Sequence, residues 1–412
     1  MRHDRGAAGA RGYGVTAAVA LIGANGHGRS HRRRIAELER TGSVRLVALA
    51  DVQPIEPDPP VPAGAAVFTD HRELLATAAP DVVVICTPPH THLPIALDAL
   101  AAGCDVLLEK PPVPTVEAHA TLQAAVVSSG RSCQVGFQAL GSLAAQTLFD
   151  AVAAGRLGRL ESVATVASWR RDDAYYARAP WSGRRVVDGR PVLDGALVNP
   201  LAHAVMQSLA VAAAAGAGAP VRLAAERYRT RDIEVDDTAF ARITFAGGLR
   251  MMAAVTLAGE DFVAGSVIVT GAAGRAELEY PTDRLDLPGL TGPPGRIDLL
   301  ENLIAHRRDR SGVPLVAPLA RTAAFTAVAQ TLTGPGAAPP ALIDEAFVAA
   351  VGTGPERVQV ITGINAVLRE AAATLKLPSE SGVAWAVPAY EVDVPIAGHP
   401  YGHPPPGSVG EY

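Results

Sequence analysis

The pair Glu109-Lys110 sits where two kinds of sequence signal meet. An apolar run, Cys104 to Leu108, leads into it, and Pro111-Pro112 follows at once. Proline cannot extend a strand's hydrogen-bond ladder, so a strand ends here with a carboxylate and an ammonium at its tip. The X-Pro bond after Lys110 can also be cis. In an open parallel sheet, ligands bind just beyond the carboxyl ends of the strands. A lysine in that place can hydrogen-bond a ligand oxygen and stabilise negative charge developing on it.

The turn Gly23-Ala24-Asn25-Gly26-His27-Gly28 asks for a phosphate. A dinucleotide fingerprint reads G-x-G-x-x-G between a strand and a helix, with an acidic residue after the second strand. Gly23 and Gly28 fill the outer positions, and Asn25 stands where the middle glycine belongs. Asn is the non-glycine residue that best tolerates left-handed geometry, and Gly26 follows it. The free N–H groups and dipole of the following helix favour an anion, which makes Gly23, Asn25, Gly26, His27 and Gly28 candidate cofactor contacts. Asp51, after the second strand, is placed to accept hydrogen bonds from ribose hydroxyls. Its charge repels a 2′-phosphate, and no arginine follows within Val52-Gln53-Pro54, so NAD is expected over NADP.

A third group is aromatic. Trp169-Arg170-Arg171-Asp172-Asp173-Ala174-Tyr175-Tyr176, with Trp181 close behind, gathers two Trp and two Tyr in a chain that is 5% aromatic. Aromatic faces and arginine donors suit a polyhydroxylated ring, which makes Trp169, Arg170, Tyr176 and Trp181 candidate substrate contacts. A loop anchored by buried aromatics would carry the same residues.

Strands and helices that hold these groups alternate through the first third of the chain. Strands are expected at Thr16 to Ile22, Val44 to Ala50, near Val67, Asp81 to Thr87, Cys104 to Leu108 and Arg131 to Phe137. Helices fall between them, at Arg29 to Arg40, Arg72 to Ala78, His92 to Ala102 and Val116 to Ser128. Strands separated by helices of about a dozen residues mean βαβ units and a parallel sheet. After Gln138 the pattern changes. Strands at Leu160 to Trp169, Val221 to Tyr228, Ala239 to Phe245, Leu249 to Leu257 and Ser266 to Gly271 carry glycine turn signals of antiparallel pairing. Helices are expected at Leu143 to Ala154, Asn199 to Ala215, Arg321 to Leu332 and Glu356 to Lys376.

Composition narrows the class. At 412 residues two domains are expected, and 49% hydrophobic content with a net charge of −5 excludes a disordered chain. The 36 basic and 41 acidic residues are mixed, with no basic stripe, which argues against nucleic acid as a partner. Cys86, Cys104 and Cys133 have neither an even count nor C-x-x-C spacing, so no disulfide framework or zinc site is expected and a reducing cytoplasm fits. The apolar stretch Val15 to Ile22 is too short to span a membrane. Residues 1–14 and 397–412 are expected to be disordered tails. His27, His31, His90 and His92 have no carboxylate at ligand spacing in the sequence, so no metal site is expected.

Thr87-Pro88-Pro89-His90-Thr91-His92, Ala102-Gly103 and Val106-Leu107-Leu108-Glu109-Lys110-Pro111 together resemble the glucose–fructose oxidoreductase/inositol dehydrogenase/MocA family. The resemblance runs from about Val15 to Tyr390. It implies a Rossmann domain over 15–138 and an α+β domain over 139–396, whose large, mainly antiparallel open sheet often forms a subunit interface, hence a homo-oligomer, dimer or tetramer. It implies an NAD(H)- or NADP(H)-dependent oxidoreductase acting on a sugar, sugar derivative or cyclitol. Lys110 matches the family's catalytic lysine, and Thr87, Pro88 and His92 match residues lining the nicotinamide side. Glu109 and Gln138 complete the expected cofactor contacts.

The segment Gly195 to His203 is similar to the family's Asp or Asn four residues before a catalytic histidine. Spacing i, i+4 places Asn199 and His203 on one helical face, able to address one ligand with Lys110. A neutral histidine with a pKa near working pH would take the hydroxyl proton. Three departures stand out: Met206 where many members carry Asp, Asp194-Gly195 in place of a double glycine, and Ala139-Leu140 where an arginine is common. Two alternatives share the resemblance, a glycoside hydrolase working by transient oxidation and a non-catalytic sensor.

Overall fold

The computed structural model describes residues 16–395, so both expected tails lie outside the described residues. The first domain is a six-stranded parallel sheet. Its elements are β1 Ala17–Ile22, α1 Gly28–Arg40, β2 Val44–Ala50, β3 Ala66–Phe68, α2 His71–Ala78, β4 Val82–Ile85, α3 Pro89–Ala101, β5 Asp105–Leu108, α4 Val116–Ser129 and β6 Cys133–Val135. Strand order is β3-β2-β1-β4-β5-β6, all neighbours parallel. The order reverses between β1 and β4, which opens a crevice at their carboxyl ends. Val82 to Ile85 are fully buried, as a strand covered on both faces requires.

The second domain is built on a ten-stranded mixed sheet around β7, Leu160–Arg170. On one side of β7 lies Ala258–Gly271, antiparallel, and on the other Arg250–Thr256, parallel. Thr238–Phe245 and Pro220–Arg229 continue the sheet in antiparallel pairs. Side chains alternate faces along a strand. Val163, Thr165 and Ala167 of β7 look toward α7, Ala202–Ala214, where Thr165 and Ser208 hydroxyls meet at 2.6 Å. Ala164, Val166 and Ser168 look the other way, toward α10, Ile364–Thr374, where Ser168 donates to Asn365 Oδ1. The second face is thus covered by the chain's own residues, with Trp385 against Tyr228 and Phe240 completing the cluster.

Between these lie α5, Leu143–Ala153, and the short α6, Asp173–Ala177. After the sheet strand Leu290–Thr291, α8, Leu299–Arg308, returns to the first domain. There Arg307 pairs with Asp81 and Asp105 at 2.7 and 2.8 Å, and Val135 N–H donates to Ala317 O. The stretch from α8 to α9, Ala323–Thr333, therefore packs against the Rossmann domain although second-domain elements precede and follow it in sequence.

Two expected helices change. The span Glu356 to Lys376 is not one helix: Val358–Ile361 is a strand paired with Val348–Val351, and Gly363, at φ +77°, turns the chain into α10. Val-Gln-Val-Ile is β-branched and alternating, which favours the strand. The helix expected from Asn199 begins only at Ala202, so Asn199 lies in the preceding turn. No described helix is long and apolar enough to cross a membrane.

Candidate active site

The turn between β1 and α1 packs backbone on backbone. A Cβ on Gly28 would lie 2.0 Å from the Gly23 carbonyl oxygen, and one on Gly23, at φ +86°, 2.4 Å from that of Cys86. At Gly26, φ +54°, a Cβ would meet nothing within 4 Å, so that side of the turn is open. No side chain caps α1, and its first turn has no acidic residue, which leaves its positive end to an anion. These features fit a dinucleotide diphosphate.

Asn25 does not adopt the left-handed backbone expected of it; Gly26 does. The Asn25 side chain instead spans to the proline-rich loop, donating to Pro54 O and accepting from Glu56 N–H. Asp51 holds the turn from the other side, accepting from Asn25 N–H at 3.0 Å and from Gln53 N–H. The arginines of α1 grip the same loop: Arg29 pairs with Glu56 and Asp58, and Arg33 with Asp58.

At the tip of β5 the Lys110–Pro111 peptide is cis. Lys110 Nζ donates to Asn199 Oδ1 at 2.9 Å and to the Asn199 carbonyl at 3.1 Å. Asn199 Nδ2 donates in turn to Asp194 Oδ1, whose other oxygen accepts from Gly183 N–H. Burial lowers the Lys110 pKa from its ordinary value, against the pull of Glu109 and Asp194. Glu109 Oε2 accepts from Lys110 N–H, and Gly136 leaves the carboxylate just enough room. Its Oε1 lies 2.9 Å from His31 Nε2 and 3.7 Å from His27 Nε2. Burial raises its pKa, but the two imidazoles hold it well below the usual carboxylate range.

His203 is 6% exposed, stacked on Tyr280 at 5.5 Å between ring centroids and edge-on to Phe137. Its Nδ1 is buried and has no hydrogen-bond partner among the described residues. Burial and the nearby Lys110 charge push its pKa down to about 3. The expectation of a pKa near working pH fails. Asn199, outside the helix and turned to Lys110, does not share a helical face with His203. Met206 is buried in α7, and the pull of Glu109 on the imidazole does not offset burial and the Lys110 charge.

The aromatic loop divides. Trp169 Nε1 donates to Ala264 O, and the Arg170 guanidinium to the carbonyls of Gly259 and Glu260, so both clamp β7 to its neighbour. Tyr176 lies under the Arg231 guanidinium with its hydroxyl buried, and it packs beside Gly183. Arg178 sits over Tyr175 at 3.5 Å and over Trp181 at 4.8 Å. Gly183 joins this cluster to Asp194, Asn199 and Lys110. Asp194 and Arg178 were not singled out by their chemistry in the sequence; the Asp194-Gly195 departure was the available sign.

On the nicotinamide side expected from the resemblance, His92 is fully buried, its ring nitrogens facing the carbonyls of Thr87, Pro111 and Pro112. It ties the ends of β4 and β5 together from behind. Thr87 abuts Gly23 and accepts from the Thr91 hydroxyl, and Pro88 caps α3 in extended geometry. Gln138, His27, His31 and Glu109 line a cleft of about 400 Å³ together with Arg296 and Leu300. The expectation that the histidine group lacks a carboxylate fails for His27 and His31, which converge on Glu109.

Residues 17–137 match the sequence model of GFO_IDH_MocA, the oxidoreductase family with an NAD-binding Rossmann fold. Inositol 2-dehydrogenase 4 of Saccharopolyspora erythraea is 33% identical over 142 residues, 34% of this chain and 42% of that protein. D-glucoside 3-dehydrogenase of Escherichia coli is 35% identical over 130 residues, 32% of this chain and 36% of that protein. The chain thus spans about two fifths of the length of these curated relatives. In fold, it is similar to the WlbA dehydrogenase from Bordetella pertussis, solved with NADH and UDP-GlcNAcA. The TM-score is 0.63 at 22% identity, covering 76% of this chain and 94% of that one. Over residues 17–137, the chain is thus similar to the glucose–fructose oxidoreductase/inositol dehydrogenase/MocA family of oxidoreductases, with its NAD-binding Rossmann fold.

Proposed function

We propose that this protein is an NAD(H)-dependent dehydrogenase or reductase acting on a hydroxyl or keto carbon of a sugar, sugar derivative or cyclitol. The observation that carries the reading is the half-sequestered Lys110, held by Asn199 beside the dinucleotide cradle. The inositol and glucoside dehydrogenases that match the first domain support the substrate class. Bound NAD supplies the hydride acceptor. Asp51 repels a 2′-phosphate, and Arg29, committed to Glu56 and Asp58, is not free to bind one, which favours NAD over NADP.

The pKa directions reassign the proton. An imidazole near pKa 3 is a weak base at neutral pH, because efficient proton exchange needs a pKa near the working pH. Lys110, lowered by burial, moves toward that range. We assign proton exchange with the substrate oxygen to Lys110, and to His203 the role of a neutral hydrogen-bonding partner. Asn199 and Asp194 orient the ammonium, and Tyr176, Trp181 and Arg178 wall the substrate side. Following nicotinamide absorbance with a panel of sugars, inositols and keto-sugars, with NAD and NADP separately, tests the reading. Failure to bind either cofactor, with no turnover, would overturn it.

A further inference from the structure

His27 and His31 stand one helical turn apart at the start of α1, with rings meeting edge to face at 5.5 Å. Spacing i, i+4 turns both toward the same side of the helix. Glu109, from the tip of β5, completes a triangle. Its Oε1 lies 2.9 Å from His31 Nε2 and 3.7 Å from His27 Nε2, and one nitrogen or oxygen from each of the three residues lies within 4.8 Å of the others. Ligand atoms in a tetrahedral zinc site are separated by roughly 3.4 Å, as bonds of about 2.1 Å require. Closing a gap of up to 4.8 Å to that separation takes a shift of at most about 1.4 Å, and the exposed His27 is placed to make it.

We propose that His27, His31 and Glu109 form a binding site for a divalent first-row transition metal in the cofactor-free protein. Two imidazoles and one carboxylate suit zinc, cobalt or nickel, and three protein ligands leave a position for water. The carboxylate is already oriented, as metal ligands require, because Glu109 Oε2 accepts from Lys110 N–H and Gly136 packs against it. Cations nearby do not oppose the ion directly. Arg34 is paired with Glu37, Asp298 and Glu301, Arg296 with Asp283, and Lys110 is turned to Asn199. The site opens into the cleft that Gln138 also lines.

His27 belongs to the turn whose open side fits the diphosphate, so ion and dinucleotide compete for the cleft. This second half rests on the cofactor reading; the metal site does not. The test is calorimetric titration of chelator-stripped full-length protein with zinc chloride alone, with cobalt chloride followed by visible absorption. One ion per chain is expected, with the intense visible bands of tetrahedral cobalt. His27→Ala and the isosteric Glu109→Gln should each weaken binding by at least about tenfold. No binding, or zinc affinity unchanged in both variants, would overturn the site. Repeating the titration with NADH, its occupancy read by nicotinamide fluorescence, should weaken the apparent zinc affinity in proportion to NADH concentration. Unchanged affinity with NADH bound would overturn the competition. If NADH fails to bind while zinc binds, the cofactor reading falls and the metal site stands.

Discussion

Lys110 Nζ lies 2.9 Å from Asn199 Oδ1, a contact that joins the tip of a Rossmann strand to the turn before α7 in the other domain. The ammonium meets an amide, and the carboxylate of Asp194 is one hydrogen bond further on. A charge-neutral partner leaves burial as the first influence on the lysine, which lowers its pKa.

Proton exchange at Lys110 should therefore be separable from that at His203. Lys110→Ala is expected to lower kcat by about 10²- to 10⁴-fold, the usual worth of a general acid or base. His203→Asn should cost about tenfold, as loss of one hydrogen bond would. Steady-state kinetics on both variants, with NADH binding measured by fluorescence to confirm an intact cradle, decides between them. The reverse order of severity would return the proton to the imidazole.

His203 also predicts how stability depends on pH. Its folded pKa, about 3, lies below the unfolded value near 6.5, so between these the unfolded chain binds the extra proton. Its contribution to stability is full above pH 6.5 and is lost as pH falls toward 3, with a slope approaching about 1.4 kcal/mol per unit. Guanidinium unfolding of wild type and His203→Gln from pH 4.5 to 7.5 checks this. The difference between the two proteins should shrink as pH falls; parallel curves would contradict it.

Asp51 couples the cradle to cofactor choice. Asp51→Ala removes the ribose acceptor and frees Asn25 N–H and Gln53 N–H. We expect kcat/KM with NAD to fall by about tenfold or more, and the value with NADP to fall less. Comparing the two cofactors in one assay gives the ratio; an unchanged ratio would remove Asp51 from selectivity.

The turn carrying Asn199 depends on a buried ion pair. Arg227 Nε meets Asp236 Oδ1 at 2.7 Å with both side chains 5% exposed, and Asp236 Oδ2 accepts from Ala196 N–H. Arg227→Met leaves the carboxylate buried and unpaired, at a cost of about 3–5 kcal/mol. Denaturant unfolding should register that loss. Arg227→Lys, which keeps the charge, should recover part of it.

The sequence by itself determined the Rossmann sheet almost strand by strand. Its apolar runs, proline stops and glycine turn are local signals, and a parallel sheet buried on both faces writes them without interruption. Val44 to Ala50 was legible to the residue for that reason, and so was Glu109-Lys110 at its strand tip. The tertiary structure alone decided what those residues meet. Glu109 is 78 residues from His31, and Lys110 is 89 from Asn199, separations over which no spacing rule applies. It decided that Asn199 precedes the helix and faces the lysine, and that Trp169 and Arg170 brace a strand. It also decided that α10 covers the second sheet face, since which partner buries an apolar surface depends on where the whole chain returns. Local pattern fixes where a side chain is offered, and long-range packing sets its partners and therefore its pKa.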